Sequence, residues 1–210
     1  MNAPLTDKTG TATRILDIAQ RIVQMRGFNA FSYADVAEVM NVTKASLHYH
    51  FPSKAILGEA LIQRYIADFR VALASLERNS PSTAQQLYGY ASIYQSVLAD
   101  HRCCFCCMLS ADYMTLPPPM QAGVRMFFTY NRTWLSAVLD RGKADGELDF
   151  AAPTEDVADF IVAALEGAML TCWVEGGAPR FARIAQRVLA AVSICPPDVT
   201  HGAGPAEAVA

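Results

Sequence analysis

Residues 31–54 read FSYADVAEVMNVTKASLHYHFPSK, and the spacing of apolar and capping side chains in this stretch decides how the chain is read. Ser32 is suited to cap a helix, and Tyr33, Val36, Ala37 and Met40 follow at the i, i+3, i+4, i+7 spacing that gives a short helix one apolar face. Asn41 and Val42 interrupt that pattern. Thr43 can cap a second helix carrying Lys44, Ala45, Ser46, His48, Tyr49 and His50, which ends at Phe51-Pro52 because proline disfavours helical geometry in the residue before it. Ser53 can then cap a third helix with Lys54 in its first turn. A lysine there opposes the helix macrodipole, so its position points to a nearby anion, and phosphate is the obvious candidate. Two short helices joined by a tight turn and closed by a third helix start form the layout of a DNA-reading helix-turn-helix.

Helical periodicity extends in both directions from this core. Ile15, Ile18, Ala19, Ile22 and Val23 make the inner stripe of a first helix ended by Gly27, which fits a left-handed C-cap. Downstream, a long helix runs from Ser53 to about Asn79 with Ile56, Leu57, Ala60 and Leu61 inward, until Ser80-Pro81-Ser82 breaks it. Further helices are expected near 82–100, 103–115, 118–144, 153–175 and 179–194. They are separated by Asp100-His101-Arg102, Pro117-Pro118-Pro119, Asp145-Gly146 and Gly176-Gly177-Ala178-Pro179. No strand alternation, repeat or low-complexity block interrupts them, so the expected fold is all-α. The tail 196–210, rich in Pro, Gly and Ala, is expected to be disordered.

The 210 residues, 52% of them hydrophobic, suffice for a buried core. No apolar run is read as long enough to cross a bilayer, and MNAPLTDKTG lacks the apolar centre of a signal peptide. A cytoplasmic protein with its six cysteines kept as thiols, and with no membrane partner, is the expectation. The net charge of −3 argues against a nucleic-acid partner, but its distribution argues the other way. Through Lys54 six basic residues face four acidic ones, net +2, so the remainder carries −5. A small basic end on an acidic body is compatible with DNA binding by a minority of the surface.

The run VTKASLHYHFPSK, after a short capped helix and a first helix ending in Arg26-Gly27-Phe28, resembles the signature of the tetracycline-repressor (TetR) family of bacterial transcriptional regulators. The resemblance is strong over roughly residues 10–60. It implies a three-helix DNA-binding domain, placed at 1–54, and a helical ligand-binding and dimerisation domain, placed at 55–195. It further implies that Ser32 and Tyr33 meet the DNA backbone and that Thr43, Lys44 and Ala45 enter the major groove. Ser46 is taken as part of the same contact surface, His48, Tyr49 and His50 are implied to face backbone or base edges, and Lys54 a phosphate. Ala45 stands where the family often has glycine, and His48 where many members carry tyrosine, so a phosphate contact at His48 would depend on pH. Leu47 and Phe51 are assigned to packing. The function implied is a ligand-responsive regulator, most commonly a repressor, that binds a palindromic double-stranded operator as a homodimer and is released by a small molecule.

The C-terminal half supplies candidates for the other roles. Val157, Phe160, Ile161, Ala164, Leu165, Ala168, Met169, Cys172 and Trp173 form one continuous apolar stripe, with Gly167 and Ala168 small enough for close helix approach. It fits a core helix or an interface, and the resemblance implies a dimer built from about 153–194. A small-molecule effector, of no identifiable class, is expected among Tyr88, Tyr94, Cys104, Met108, Tyr113, Met114, Phe127, Phe128, Asn131, Trp134, Glu166 and Met169, an aromatic and flexible apolar set with few polar groups.

His101-Arg102-Cys103-Cys104-Phe105-Cys106-Cys107-Met108 reads three ways. The cysteines pack as small hydrophobes, or sense oxidants as thiols, or hold a soft metal, since helical geometry would bring Cys103 near Cys106 and Cys107, and Cys104 near Cys107. No metal or cofactor is assigned. A cysteine-dependent enzyme using His101 or Glu166 is the runner-up of a different class, but the chain has no nucleophile elbow, phosphate loop or HExxH-type motif to orient such groups. A ligand-binding protein whose helix-turn-helix no longer reads DNA is the third.

Overall fold

The computed structural model describes residues 8–192, so the expected disordered tail lies outside the described residues. Among them are nine α-helices and no strand: α1 (Lys8–Arg26), α2 (Tyr33–Met40), α3 (Lys44–His50), α4 (Lys54–Asn79), α5 (Thr83–Ala99), α6 (Phe105–Ala111), α7 (Pro118–Ala144), α8 (Thr154–Val174) and α9 (Gly177–Ala190). A single 3-10 turn, Tyr113–Thr115, lies between α6 and α7. The all-α reading is thereby met, and the breaks fall where turn chemistry demands them. Gly27, Gly146 and Gly176 take positive φ values of 82°, 72° and 92°. Pro179, read as part of a separator, sits inside the first turn of α9, where its missing N–H costs nothing.

Two compact units divide the chain, each made of two segments. The first runs through Tyr65 and adds Phe105–Val124; the second comprises Ile66–Cys104 and the residues from Arg125 onward. Helices α4 and α7 therefore each contribute one part to each unit.

In the first unit α1 packs against α2, α3 and α6. Its stripe narrows to fully buried Ile15, Ala19 and Val23, and the adjacent buried Gln20 accepts a 2.9 Å hydrogen bond from Arg64 of α4. The α4 stripe differs from expectation at one position: Leu57 and Leu61 are fully buried but Ile56 is 46% exposed, because the inward face drifts toward Ile62 and Tyr65.

In the second unit α5, α8 and α9 pack together. Glu147, just after α7, caps the start of α5 by accepting from the N–H and hydroxyl of Thr83, and these bonds hold its carboxyl below the usual range. Within α8 the predicted single stripe is in fact two. Val157, Ala158, Ile161, Leu165, Met169 and Cys172 are buried, whereas Phe160 is 52% and Val174 83% exposed, on the opposite side with Ala163 and Gly167. Contrary to the reading that no apolar run was long enough, α8 has the length and composition of a membrane-crossing helix, and half of its most apolar window is buried in the protein. Its double apolar face is the reason.

The helix expected at 103–115 is shorter, because His101 turns at φ 57° and the backbone N–H of Cys104 bonds the Met169 sulfur at 3.1 Å. Cys103 and Cys104 thus precede α6 instead of lying within it.

Candidate nucleic-acid interface

The geometry of α2 and α3 follows from their caps. The Asp35 carboxylate accepts from both the N–H (2.8 Å) and the hydroxyl (2.6 Å) of Ser32, and these bonds, the hydroxyl first, lower its pKa. Asn41 ends α2 in the left-handed region at φ 55°, a conformation that asparagine tolerates better than most residues. Two residues later the Thr43 hydroxyl accepts from the N–H of Ser46 at 3.3 Å, starting α3. Only Val42 separates the αL residue from the next cap, which makes the turn tight.

Leu47 anchors α3 by being fully buried, which contributes about 1.5–3 kcal/mol. Its neighbours point outward: Thr43, Lys44, Ala45 and His48 are exposed, Tyr49 is 65% exposed, and Ser46 and His50 are half-buried. One helix face is therefore clamped and the other presents a cation, hydroxyls, imidazoles and a phenol to solvent, with Ala45 offering almost no side chain between backbone and any partner. Tyr49 and His50 meet edge to face, with ring centroids 5.3 Å apart.

Two residues expected at this surface are engaged inside the protein. Tyr33 is buried, its hydroxyl donates to the Phe51 carbonyl at 2.7 Å, and burial pushes its pKa up to about 12. It belongs with the apolar stripe of α2, and the correction follows from the i, i+3 spacing that already joined it to Val36. Its ring also packs on that of His48, 4.6 Å away, while the His48 Nδ1 lies 3.2 Å from the Pro52 carbonyl. Lys54 places its ammonium over the Phe28 ring at 4.6 Å and the Phe31 ring at 5.3 Å and donates to the Asn29 carbonyl at 3.4 Å. Partial burial lowers its pKa, against the pull of Asp112 and Asp35. The anion inferred from its place in the first turn of α4 has these internal counterparts.

Of the candidate effector contacts, Met108 and Tyr113 belong to the first unit, and Tyr88, Cys104, Phe127, Asn131, Trp134, Glu166 and Met169 to the second. Met114 is 87% exposed and so is displaced from any buried site. The second unit brings its members together around a residue that the sequence reading passed over. Fully buried Tyr90 donates to the Asn131 Oδ1 at 2.8 Å, lies 2.9 Å hydroxyl to hydroxyl from Tyr94, and stacks on Trp134 with centroids 5.6 Å apart. Trp134 in turn donates to Glu77 at 2.9 Å. Burial raises the pKa of both Tyr90 and Tyr94 well above normal, and the charges of buried Glu166 and Cys104 act in the same direction. The i, i+4 spacing of Tyr90 and Tyr94 was the available signal for this network.

Cys103, Cys104 and Cys106 are buried and Cys107 is half-buried. Among the described residues no group of three or more His, Cys, Asp or Glu is arranged to hold a metal.

This architecture agrees with comparisons to known proteins. Residues 15–61 match the family model of bacterial regulatory proteins of the tetR family, and residues 84–188 that of the tetracyclin repressor-like C-terminal domain. A TetR-family transcriptional regulator from Agrobacterium tumefaciens is 33% identical in its crystal structure, with a TM-score of 0.86 over 89% of this chain and all of that one. A TetR regulator from Legionella pneumophila is 26% identical, with a TM-score of 0.79 over 92% of this chain and all of its own. The transcriptional repressor DhaR of Mycobacterium sp. (strain GP1) is 22% identical over 171 residues, 80% of this chain and 85% of DhaR. The chain belongs to the TetR family and is a helix-turn-helix transcriptional regulator, not an enzyme. Regulators of this family bind operator DNA, dimerise and respond to small ligands.

Proposed function

We propose that the protein represses transcription in the cytoplasm by laying α3 in the major groove of a palindromic operator as a homodimer, and that a small molecule bound in the helical body releases it. The carrying observation is the two-sided character of α3: Leu47 is fully buried while Thr43, Lys44, Ala45, His48 and Tyr49 face solvent. Lys44 and Ala45, in the first turn, are the residues that approach base edges, while Thr43, Ser46, Tyr49 and His50 fix the register on phosphates. Ser32 joins them from the start of α2. Residues 1–54 form the DNA-binding domain and 55–195 the body.

One α3 covers too few base pairs for useful specificity, and a two-fold dimer remedies that. The second apolar face of α8, Phe160, Ala163, Gly167 and Val174, supports this face as the seam, with α9 beside it. An added β-carbon at Gly167 meets nothing within 4 Å, so a partner helix has room to approach. The effector is assigned to the neighbourhood of Tyr90, Tyr94, Asn131 and Glu166, where hydrogen-bonding groups converge in an otherwise apolar interior. It releases DNA by binding the DNA-incompetent state more tightly.

Anisotropy titration of the full chain against duplexes from its own upstream region, across a salt series, tests the reading. Lys44→Ala should weaken binding and flatten the salt slope by about one if Lys44 neutralises a phosphate, or relax base preference if it reads an edge. Binding that is absent at low salt, or unaffected by Lys44→Ala, overturns it.

A further inference from the structure

Two contacts hold the His48 ring, and together they decide which of its nitrogens carries the proton. One face of the imidazole packs against the Tyr33 ring, with centroids 4.6 Å apart and planes inclined at 45°. Tyr33 is itself anchored, buried and bonded through its hydroxyl to the Phe51 carbonyl. At the ring edge the His48 Nδ1 lies 3.2 Å from the Pro52 carbonyl oxygen. A carbonyl oxygen only accepts, so in the neutral ring this contact is a hydrogen bond only when Nδ1 bears the proton. The hydrogen bond made by one ring nitrogen sets the state of the other, and Nε2 is left with a lone pair. The side chain is exposed, so Nε2 is the nitrogen that a partner from solution meets.

A lone pair at Nε2 discriminates among the groups that a DNA duplex can offer. Phosphate oxygens bear no proton and cannot donate to it. On the major-groove edges of the bases, adenine presents its N6 amino group and cytosine its N4 amino group, whereas guanine and thymine present no donor. His48 also stands where an edge can be reached: it follows Lys44 by four residues and lies one turn further along the same face of α3. Lys44 can only donate, and a neutral His48 in this tautomer meets a partner only as an acceptor, so the face offers a donor and then an acceptor.

We propose that neutral His48 determines part of the operator sequence: through Nε2 it accepts from the exocyclic amino group of an adenine or cytosine on the strand it faces, one in each half-site. This rests on the operator-binding reading above and names a base class that the operator must carry. The Tyr33 ring and the Pro52 carbonyl position the imidazole and have no other part in the selection.

Selection of bound duplexes from a randomised pool, with the full chain and with its His48→Phe variant at about pH 8, where imidazole is ordinarily neutral, tests this. One position in each half-site should be adenine or cytosine for the wild type and become indifferent for His48→Phe, while the other positions keep their preference. Replacing the amino group of that base by hydrogen, with purine for adenine or 2-pyrimidinone for cytosine, should weaken wild-type binding about fivefold, the worth of one hydrogen bond, and leave His48→Phe unaffected. Should His48→Phe lose its helical circular dichroism, His48→Ala takes its place. In the DNA-free protein, a long-range proton–nitrogen NMR correlation, assigned to His48 by its loss in the variant, should show the proton on Nδ1. A proton on Nε2, a fivefold loss that persists in the variant, or the lack of any position that separates variant from wild type overturns the role of His48 and leaves the operator reading standing. A wild type that shows no salt-dependent binding overturns the operator reading and this selection with it.

Discussion

The Tyr33 hydroxyl donates to the Phe51 carbonyl at 2.7 Å and so ties the first residue of α2 to the residue that caps α3. The two reading helices are joined at both ends, by the turn at Asn41-Val42 and by this bond. Tyr33→Phe leaves a carbonyl without its buried donor and should destabilise the protein by about 1 kcal/mol in a urea melt. The phenol pKa rises to about 12 on folding, above its ordinary 10. Its contribution is therefore complete below pH 10 and is lost as pH climbs through 12, which an ultraviolet titration at 295 nm would follow.

Asp35 gives the opposite pH dependence. Its pKa is lowered by the Ser32 hydroxyl and backbone N–H, and further by Arg26, so its cap contributes above the ordinary carboxylate range of about 4 and fades as pH falls through the depressed value. Asp35→Asn should flatten the acid limb of the stability profile measured by circular dichroism and leave the alkaline limb unchanged.

Leu47 and Lys44 share α3 but should fail differently. Leu47→Ala empties a fully buried site and is expected to cost about 2–5 kcal/mol, lowering the melting temperature. Lys44→Ala, at an exposed position, should leave the melt within about 0.5 kcal/mol while reducing operator affinity in anisotropy titrations.

Gly167 lies on the exposed face of α8, the face proposed above as the dimer seam. Nothing lies within 4 Å of an added β-carbon, so Gly167→Leu should leave the protomer folded, aided by better helix propensity, yet hold a partner helix off. Phe160→Asp should do the same by charge. Sedimentation velocity should show monomers for both, with operator binding weakened.

Within the body, Tyr90→Phe removes the donor to the Asn131 Oδ1 in a fully buried setting. A loss of about 1–3 kcal/mol is expected. Because the Trp134 ring stacks on Tyr90, tryptophan emission should shift in the folded variant, and a compound bound at this cluster should change both emission and melting temperature in the wild type.

Local patterns made the helices legible. The caps at Ser32, Thr43 and Ser53 and the turn glycine at Gly27 act over three or four residues, and each appears in the structure where the residue type placed it. At other positions spacing leaves two answers. Period 3.6 assigns a stripe but not its partner, so spacing puts Phe160 with the buried face of α8 and Ile56 with that of α4, whereas both side chains are exposed. Tyr33 fitted both the apolar stripe and a surface role, and only its buried contact with Phe51 separates the two.

Chain order and capping chemistry were thus enough to establish an all-α protein with a helix-turn-helix near its start and the side chains that α3 turns to solvent, because those properties depend on neighbours in sequence. Tertiary structure alone decided that Lys54 faces Phe28, Phe31 and Asn29, that Asp112 grips a loop 83 residues earlier, and that Tyr90 bonds Asn131 across 41 positions. Such pairings are set by which helix faces meet, and hydrophobic periodicity carries no record of distant hydrogen-bonding partners.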